Sequence, residues 1–353
     1  MNFTRESIFV AAIRKFCTSF AAAVGILIAM VLILIGFTFM STPDLFPDQS
    51  TFVIAPDAHG RRELLPGTDP ALLRIDIKGV IGEGGLVAHK IQNMLFDSRE
   101  GILHNNRVKG VLLYIDTPGG AAADSDNIYR ALMEYKSKYN VPIYAFVEGM
   151  CASGGMYVAS AADKIYASSS SIIGSVGVIL GPNFNFSGLM EKYGVESLTI
   201  TQGLDKDELN PFRPWKPDEG ASLQAITVAL YERFVGIVTK ARPLLDKDKL
   251  IKEYGAQVYI AQEAQKLGYI DEASSDYYKA VNELAKAANI PDAMPYQMMK
   301  IEAPRHFLSN FAETKLSLLN GKVTHVFQLG PYLNSEMSGK FLYLYQPGVE
   351  GAY

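Results

Sequence analysis

Between Thr18 and Thr42 the chain has no charged residue, and Phe20 to Met40 is almost wholly apolar. A run of that length crosses the hydrocarbon core of a bilayer as a helix. Arg5, Arg14 and Lys15 precede it, whereas Asp44 and Asp48 follow it. The positive-inside rule then puts the N-terminus in the cytoplasm and the remaining chain on the far side of the membrane. A cleaved signal peptide fits less well, because the apolar run is too long and no clean small-x-small site follows. A buried core helix would need polar positions that the run lacks. The segment therefore reads as a single-pass signal anchor.

This anchor divides the sequence. Residues 1–17 form a cytoplasmic N-terminus, 18–42 the transmembrane anchor and 43–70 a linker punctuated by Pro43, Pro47, Pro56, Pro66 and Pro70. A folded domain is expected over 71–289, followed by an extension, 290–353, whose periodicity is too weak to assign. The net charge of −4 gives no basic footprint and argues against nucleic acid as a partner. Of the two cysteines, Cys17 lies at the edge of the apolar run and Cys151 inside the domain, so a disulfide between them is implausible.

Within the domain, strand and helix patterns alternate. Leu72 to Val80 and Val108 to Ile115 read as strands, Leu86 to Phe96 and Ala121 to Tyr139 as helices. Val141 to Val147 is a buried strand ended by Glu148 and Gly149. Further strands are expected at Lys164 to Ala167, Val176 to Leu180 and Glu196 to Thr201, with helices at Phe184 to Tyr193, Pro217 to Ala241, Lys247 to Tyr254 and Ala261 to Leu267. The alternation predicts a parallel α/β arrangement, and paired strands before a helix suit a spiral of ββα units.

The chemistry centres on Val141 to Asp163. Ser153-Gly154-Gly155 follows the apolar strand and leads into a small-residue helix. A serine at a tight strand-to-helix turn is pushed out beside free backbone N–H groups, the geometry of a nucleophile elbow. Gly119-Gly120 ends the preceding strand, and consecutive parallel strands bring their C-terminal ends to one edge. Two N–H groups there could hold an oxyanion; a simple tight turn is the alternative. A nucleophilic serine needs a base. None of His59, His89, His104, His306 and His325 sits at a strand end beside a carboxylate, so a Ser-His-Asp triad is unsupported. A lysine serves where burial favours its neutral form, but spacing alone does not choose among the lysines. Lys164 should lie at the far end of its strand; Lys206 follows the strand expected to end at Thr201-Gln202-Gly203.

Four segments occur together in order: Asp116-Thr117-Pro118-Gly119-Gly120, Cys151 to Asp163, Ile173-Gly174-Ser175-Val176-Gly177-Val178 and Gly203-Leu204-Asp205-Lys206-Asp207. Together they resemble the signal peptide peptidase SppA family of membrane-anchored serine proteases. The resemblance implies a ClpP/crotonase-like fold, a nucleophile at Ser153 and a general base at Lys206. It places the oxyanion hole at the N–H groups of Gly120 and Gly154, with Gly119 and Gly155 supporting the turns. It implies no metal and no cofactor. The implied partners are peptide substrates, remnant signal peptides above all, the lipid bilayer, and a ring-like homo-oligomer that can bring serine and lysine together from adjacent subunits. The implied location is the cytoplasmic (inner) membrane of a bacterium, with the catalytic domain extracytoplasmic. Asp116-Thr117 stands where the family commonly has Asn-Ser, and Cys151 replaces a usually small residue beside the nucleophile. Two rivals remain: an acyl-transfer enzyme of the crotonase type that needs no Ser153, and a catalytically silent membrane scaffold.

Overall fold

The computed structural model describes residues 8–41, 51–302 and 340–345. Residues 1–7 of the N-terminus, 42–50 of the linker, and 303–339 and 346–353 of the extension, with His306 and His325, lie outside the described residues. The chain divides into two compact units, Met1–Gln49 and Ser50–Tyr353.

The described part of the first unit is one helix, α1 (Ile8–Ser41). Its segment Val10–Leu34 is, by length and composition, long and apolar enough to cross a membrane. At 1.5 Å per residue, 25 residues span about 37 Å, more than the ~30 Å hydrocarbon core.

The second unit begins with β1 (Thr51–Ala55), β2 (Ala71–Lys78), α2 (Ala88–Asp97), β3 (Val108–Thr117), β4 (Gly119–Ala121) and α3 (Ala122–Tyr139). It continues through β5 (Ile143–Ala152), α4 (Gly154–Ala159), β6 (Lys164–Ala167), β7 (Ile172–Gly174), α5 (Ser187–Lys192) and α6 (Ala221–Ala241). The last elements are α7 (Lys247–Lys249), β8 (Val258–Ile260), α8 (Ala261–Leu267), α9 (Tyr277–Ala287), β9 (Gln297–Glu302) and β10 (Leu342–Leu344). The large sheet runs β1-β9-β2-β3-β5-β7-β8, with β6 also paired to β5. All pairs from β9 through β2, β3 and β5 to β6 and β7 are parallel, and only the outer strands β1 and β8 run antiparallel. This is a mixed α/β sheet, and β3, β4 and α3 follow one another as strand, strand, helix.

The two-residue period of the strands sorts their side chains between two cores. Leu73, Ile75, Ile77, Val111, Leu113, Ile115, Ala145 and Val147 face the larger core, which α2, α3, α4 and α6 cover. Leu72, Leu112, Tyr114 and Phe146 face the other, which α9 closes with Ala280, Val281 and Leu284. Such strands, apolar on both faces, are what a parallel sheet covered by helices requires. Gly110 gives α9 its close seat: a methyl there would lie 3.0 Å from Leu284 Cδ1. Although α6 is also long and apolar, it packs Phe234, Val235 and Val238 into the larger core.

Several expectations fail, each for a physical reason. β5 is not broken at Glu148-Gly149. It continues to Ala152 because the Asp116 carboxylate accepts the Met150 N–H at 3.0 Å, where the β3–β5 register shifts. Val176 to Leu180 is not a strand; only Ile179 makes a β-bridge, to Leu342. Glu196 to Thr201 is not a strand either, since it is exposed on both sides with no strand paired to it among the described residues. Conversely, β1 arises within the segment read as linker and β9 within the extension, paired with each other at the sheet edge. Arg107, itself buried, fixes this region. Its guanidinium donates to the carbonyls of Pro66, Asp69 and Ile102 and to Gln297 Oε1, at 2.6–3.1 Å. α9 is a further helix that the sequence patterns did not single out.

Two stability effects follow. Leu284→Ala empties a fully buried site and is expected to lower the unfolding free energy by about 2–5 kcal/mol. Arg107→Ala removes the guanidinium that ties both ends of the domain together, leaves the buried Gln297 side-chain oxygen without that donor, and is expected to cost about 3 kcal/mol. Urea denaturation followed by circular dichroism reads both.

Candidate active site

The elbow forms because β5 runs directly into α4. Ser153 between them takes φ 53° and ψ −114°, a conformation that a non-glycine residue holds only when its surroundings enforce it. The enforcement is visible on both sides: the Ser153 N–H donates to the Gly174 carbonyl at 2.8 Å, and the Tyr157 N–H donates to the Ser153 carbonyl at 3.1 Å. Space then dictates the next two residues. A methyl on Gly154 would come within 2.5 Å of Ser125 Oγ, and one on Gly155 within 2.8 Å of Thr117 Cγ2. Ser153 is almost wholly enclosed, at 1% exposure.

The glycine pair lies against this turn. Gly119, at φ +97°, approaches so closely that a methyl on it would sit 2.6 Å from the Gly154 nitrogen and 3.0 Å from the Ala152 carbonyl oxygen. Thr117 shapes the approach: its hydroxyl donates to the Gly79 carbonyl at 2.5 Å and accepts the Gly119 N–H at 3.0 Å. The Asp116-Thr117 pair thus has a role in each residue, Asp116 holding the irregular part of β5 and Thr117 the glycine turn. Cys151 is fully buried, and burial pushes its thiol up, away from the reactive thiolate form. Its Sγ lies 3.7 Å from Met156 Sδ, so it fills space under the elbow.

Lys206 stands apart. Among the described residues no lysine or histidine hydrogen-bonds the Ser153 hydroxyl. Lys206 lies exposed on a turn with Asp205 at φ 55°, in a segment without regular structure. The strand that was to deliver it to the sheet edge does not form. Instead, Arg213 ties the segment into a self-contained unit. Its guanidinium donates to both Asp207 carboxylate oxygens and the Asp207 carbonyl, and to both oxygens of Glu219, all at 2.8–3.2 Å. Glu219 also accepts the N–H groups of Leu209 and Lys216 at 2.5 and 3.1 Å. The Arg213 guanidinium above all holds the Glu219 carboxyl down to about 2 and lowers that of Asp207. This clamp escaped the sequence reading, although an arginine in a proline-rich turn with an acid six residues to either side is a legible signal.

The described histidines, His59, His89 and His104, are placed elsewhere. His89 is on α2, His104 hydrogen-bonds its own turn at Gly101, and His59 sits in the turn after β1. Across the glycine pair, however, lies something the sequence patterns did not assign: β10 pairs antiparallel with β4, Tyr343 opposite Gly120.

Comparison with known proteins places the chain among peptidase relatives. The family model described as Peptidase family S49 matches residues 135–291, which include Ser153 and Lys206. A putative signal peptide peptidase SppA of Enterococcus faecium is 32% identical over 230 residues, covering 63% of this chain and 65% of that protein. The putative protease slr0021 of Synechocystis sp. is 32% identical over 216 residues, 59% of this chain and 72% of the relative. Among solved structures, a mutant ClpP1 of Listeria monocytogenes aligns over 59% of this chain and 94% of its own, at 14% identity and a TM-score of 0.38. The chain thus spans just under two thirds of the Enterococcus relative and well over two thirds of the Synechocystis one. With that coverage, and with the family model lying across the elbow, the chain belongs to peptidase family S49.

Proposed function

We propose that the protein is a membrane-anchored serine endopeptidase in which Ser153 is the nucleophile and Lys206 the general base. The observation that carries this reading is the strained Ser153 elbow pressed against the Gly119-Gly120 turn. Ser153 Oγ attacks a peptide carbonyl while the Lys206 amine takes its proton. The N–H groups of Gly120 and Gly154 hold the oxyanion as it develops. The peptide C–N bond then breaks, the lysine returns the proton to the leaving amine, and water hydrolyses the acyl-enzyme with the same lysine as base.

Lys206 acts across an interface in this reading. What supports it is the company the lysine keeps: Tyr193, Leu198, Ile200 and Leu204 are 70%, 86%, 88% and 92% exposed. So much exposed apolar side chain in one stretch of the chain fits coverage by a second copy of the chain. The Arg213 clamp would then hold the lysine turn in the shape that the neighbouring site receives. The anchor α1 confines the enzyme to the membrane, its domain extracytoplasmic by the charges flanking the helix. Its substrates are peptides left in or near the bilayer, remnant signal peptides first among them.

Ser153→Ala and Lys206→Ala should each lower casein hydrolysis by about 10³-fold or more without unfolding the protein. Labelling of Ser153 by a fluorophosphonate should vanish in both. Retained hydrolysis in Ser153→Ala would point to the crotonase type of chemistry; no labelling of a well-folded wild type would favour a silent scaffold. Arg213→Lys is expected to lower the casein rate about tenfold, because an ammonium cannot bridge two carboxylates as a planar guanidinium does. The pH dependence has a defined sign. A carboxyl held at about 2, below its ordinary 4.5, stabilises the clamp fully above pH 4.5 and loses that contribution as the pH falls toward 2. Acid inactivation that Arg213→Lys leaves unmoved would show that the clamp does not govern it.

A further inference from the structure

A second concave site lies at the other end of β3 and β5 from Ser153. β3 begins there at Val108, β5 follows Val141-Pro142, and α3 and α9 stop there at Asn140 and Ala288. Between these ends is a cavity of about 330 Å³. Its charge is one-sided. Arg99, Lys109 and Lys138 line it, and among the described residues no carboxylate does. None of the three cations has an ion-pair partner among the described residues. Glu134, one turn before Lys138, lines the neighbouring groove between α2 and α3 instead. The carbonyl ends of α3 and α9 add about half a negative charge each, so three cations leave the cavity with a positive excess of about two.

Arg99 gives the charge a direction. Its guanidinium lies 3.9 Å from the centre of the Tyr139 ring and 4.6 Å from that of Tyr135, and Nη1 donates to the Val108 carbonyl at 3.2 Å. Ring contacts engage the flat faces of a guanidinium, whereas its hydrogen bonds run in the plane. The remaining in-plane edge, Nε and Nη2, is buried and has no acceptor among the described residues. That edge carries two parallel N–H groups, the pattern that two oxygens of one carboxylate or phosphate match. Buried donors without an acceptor are rare in folded proteins, and an anion is one of the few partners that accounts for such a pair. The Asn106, Asn140 and Asn289 side chains line the same cavity and make no hydrogen bond among the described residues, so further N–H donors stand beside the cations.

We propose that this cavity binds a phosphate monoester, its phosphate held by Arg99, Lys109 and Lys138 and its organic part laid against Val108, Val141 and Pro142. A carboxylate would satisfy the Arg99 edge and leave both lysines unmatched. A phosphate monoester brings three acceptor oxygens and a charge of about −1.5 to −2, which balances the excess in the cavity. The volume is at the lower end of the range for small-molecule sites, so a compact organic body fits beside the phosphate. Arg99 turns its free edge towards the ligand while Tyr139 keeps the face of the guanidinium covered. A soluble phosphate ester and a lipid headgroup that ends in a phosphate offer the same chemistry. The site lies apart from the Ser153 elbow, and the proposal does not rest on the protease reading.

Equilibrium dialysis of radiolabelled glycerol 3-phosphate against the full chain in detergent, at fixed ionic strength, tests the proposal. Saturable binding at one site per chain is expected. Lys138→Ala and Arg99→Lys should each weaken it about tenfold or more, the second because an ammonium lacks the two parallel N–H groups. Lys138 is exposed, so its variant tests binding without disturbing the fold, and circular dichroism of the ligand-free protein checks this. Displacement by dioctanoyl phosphatidic acid at lower concentration than by unlabelled glycerol 3-phosphate supports the site with a lipid headgroup as its source. The reverse order supports it with a soluble ester. Acetate at the same concentration should displace neither. No saturable binding at millimolar ligand, undiminished binding in a folded Lys138→Ala, or displacement by acetate as readily as by inorganic phosphate overturns the proposal.

Discussion

Backbone against backbone is the contact on which the site depends. The turn at Gly119 lies so close to the start of α4 that no side chain fits between them, and a methyl there would collide with the Gly154 nitrogen and the Tyr343 carbonyl at once. Holding two turns at that distance requires β3 and β5 to be adjacent parallel strands with a register shift, absorbed by Asp116 and Thr117. It also requires α4 to start immediately after Ser153, which places that residue in a conformation it would not otherwise adopt. The apolar strands on either side, sealed by helices on both faces, make the arrangement rigid. Proposed catalytic atoms held this way need little reorganisation when a peptide arrives.

The local half of this arrangement was legible from the residues. Val108 to Ile115 and Val141 to Val147 announce buried strands through β-branched and apolar content, and Ser153-Gly154-Gly155 announces a turn between strand and helix. What escaped depends on partners distant in sequence. β1 and β9 are short and become strands only by pairing with each other across the length of the domain; Pro56 and the Met-rich composition of the 294–299 stretch obscured them. β10 is three residues long, and its strand character comes from the groove that holds it. Glu196 to Thr201 erred in the opposite direction. It has the alternation of a strand, but alternation builds nothing without a neighbour to accept its backbone hydrogen bonds.

The contrast between Ser153 and Lys206 has one physical source. Ser153 is fixed by the deepest part of the sheet, whereas Lys206 sits on an exposed turn braced by the Arg213 clamp, in a stretch of chain that carries exposed apolar side chains. A clamp that keeps its shape in solvent can present a lysine to another molecule, and the apolar residues of that stretch supply surface for that molecule to cover. In the proposed assembly each copy gives a nucleophile to one site and a base to the next.

Subunit complementation tests that division most directly. Ser153→Ala and Lys206→Ala chains, each inactive alone, are co-expressed in equal amounts, purified as one assembly and assayed on casein. If the base crosses between copies, a Lys206→Ala chain beside a Ser153→Ala chain has a complete site, and random mixing should restore about a quarter of wild-type activity. If serine and lysine act within one chain, no mixture contains a complete site. A mixed assembly as inactive as either parent would contradict the account.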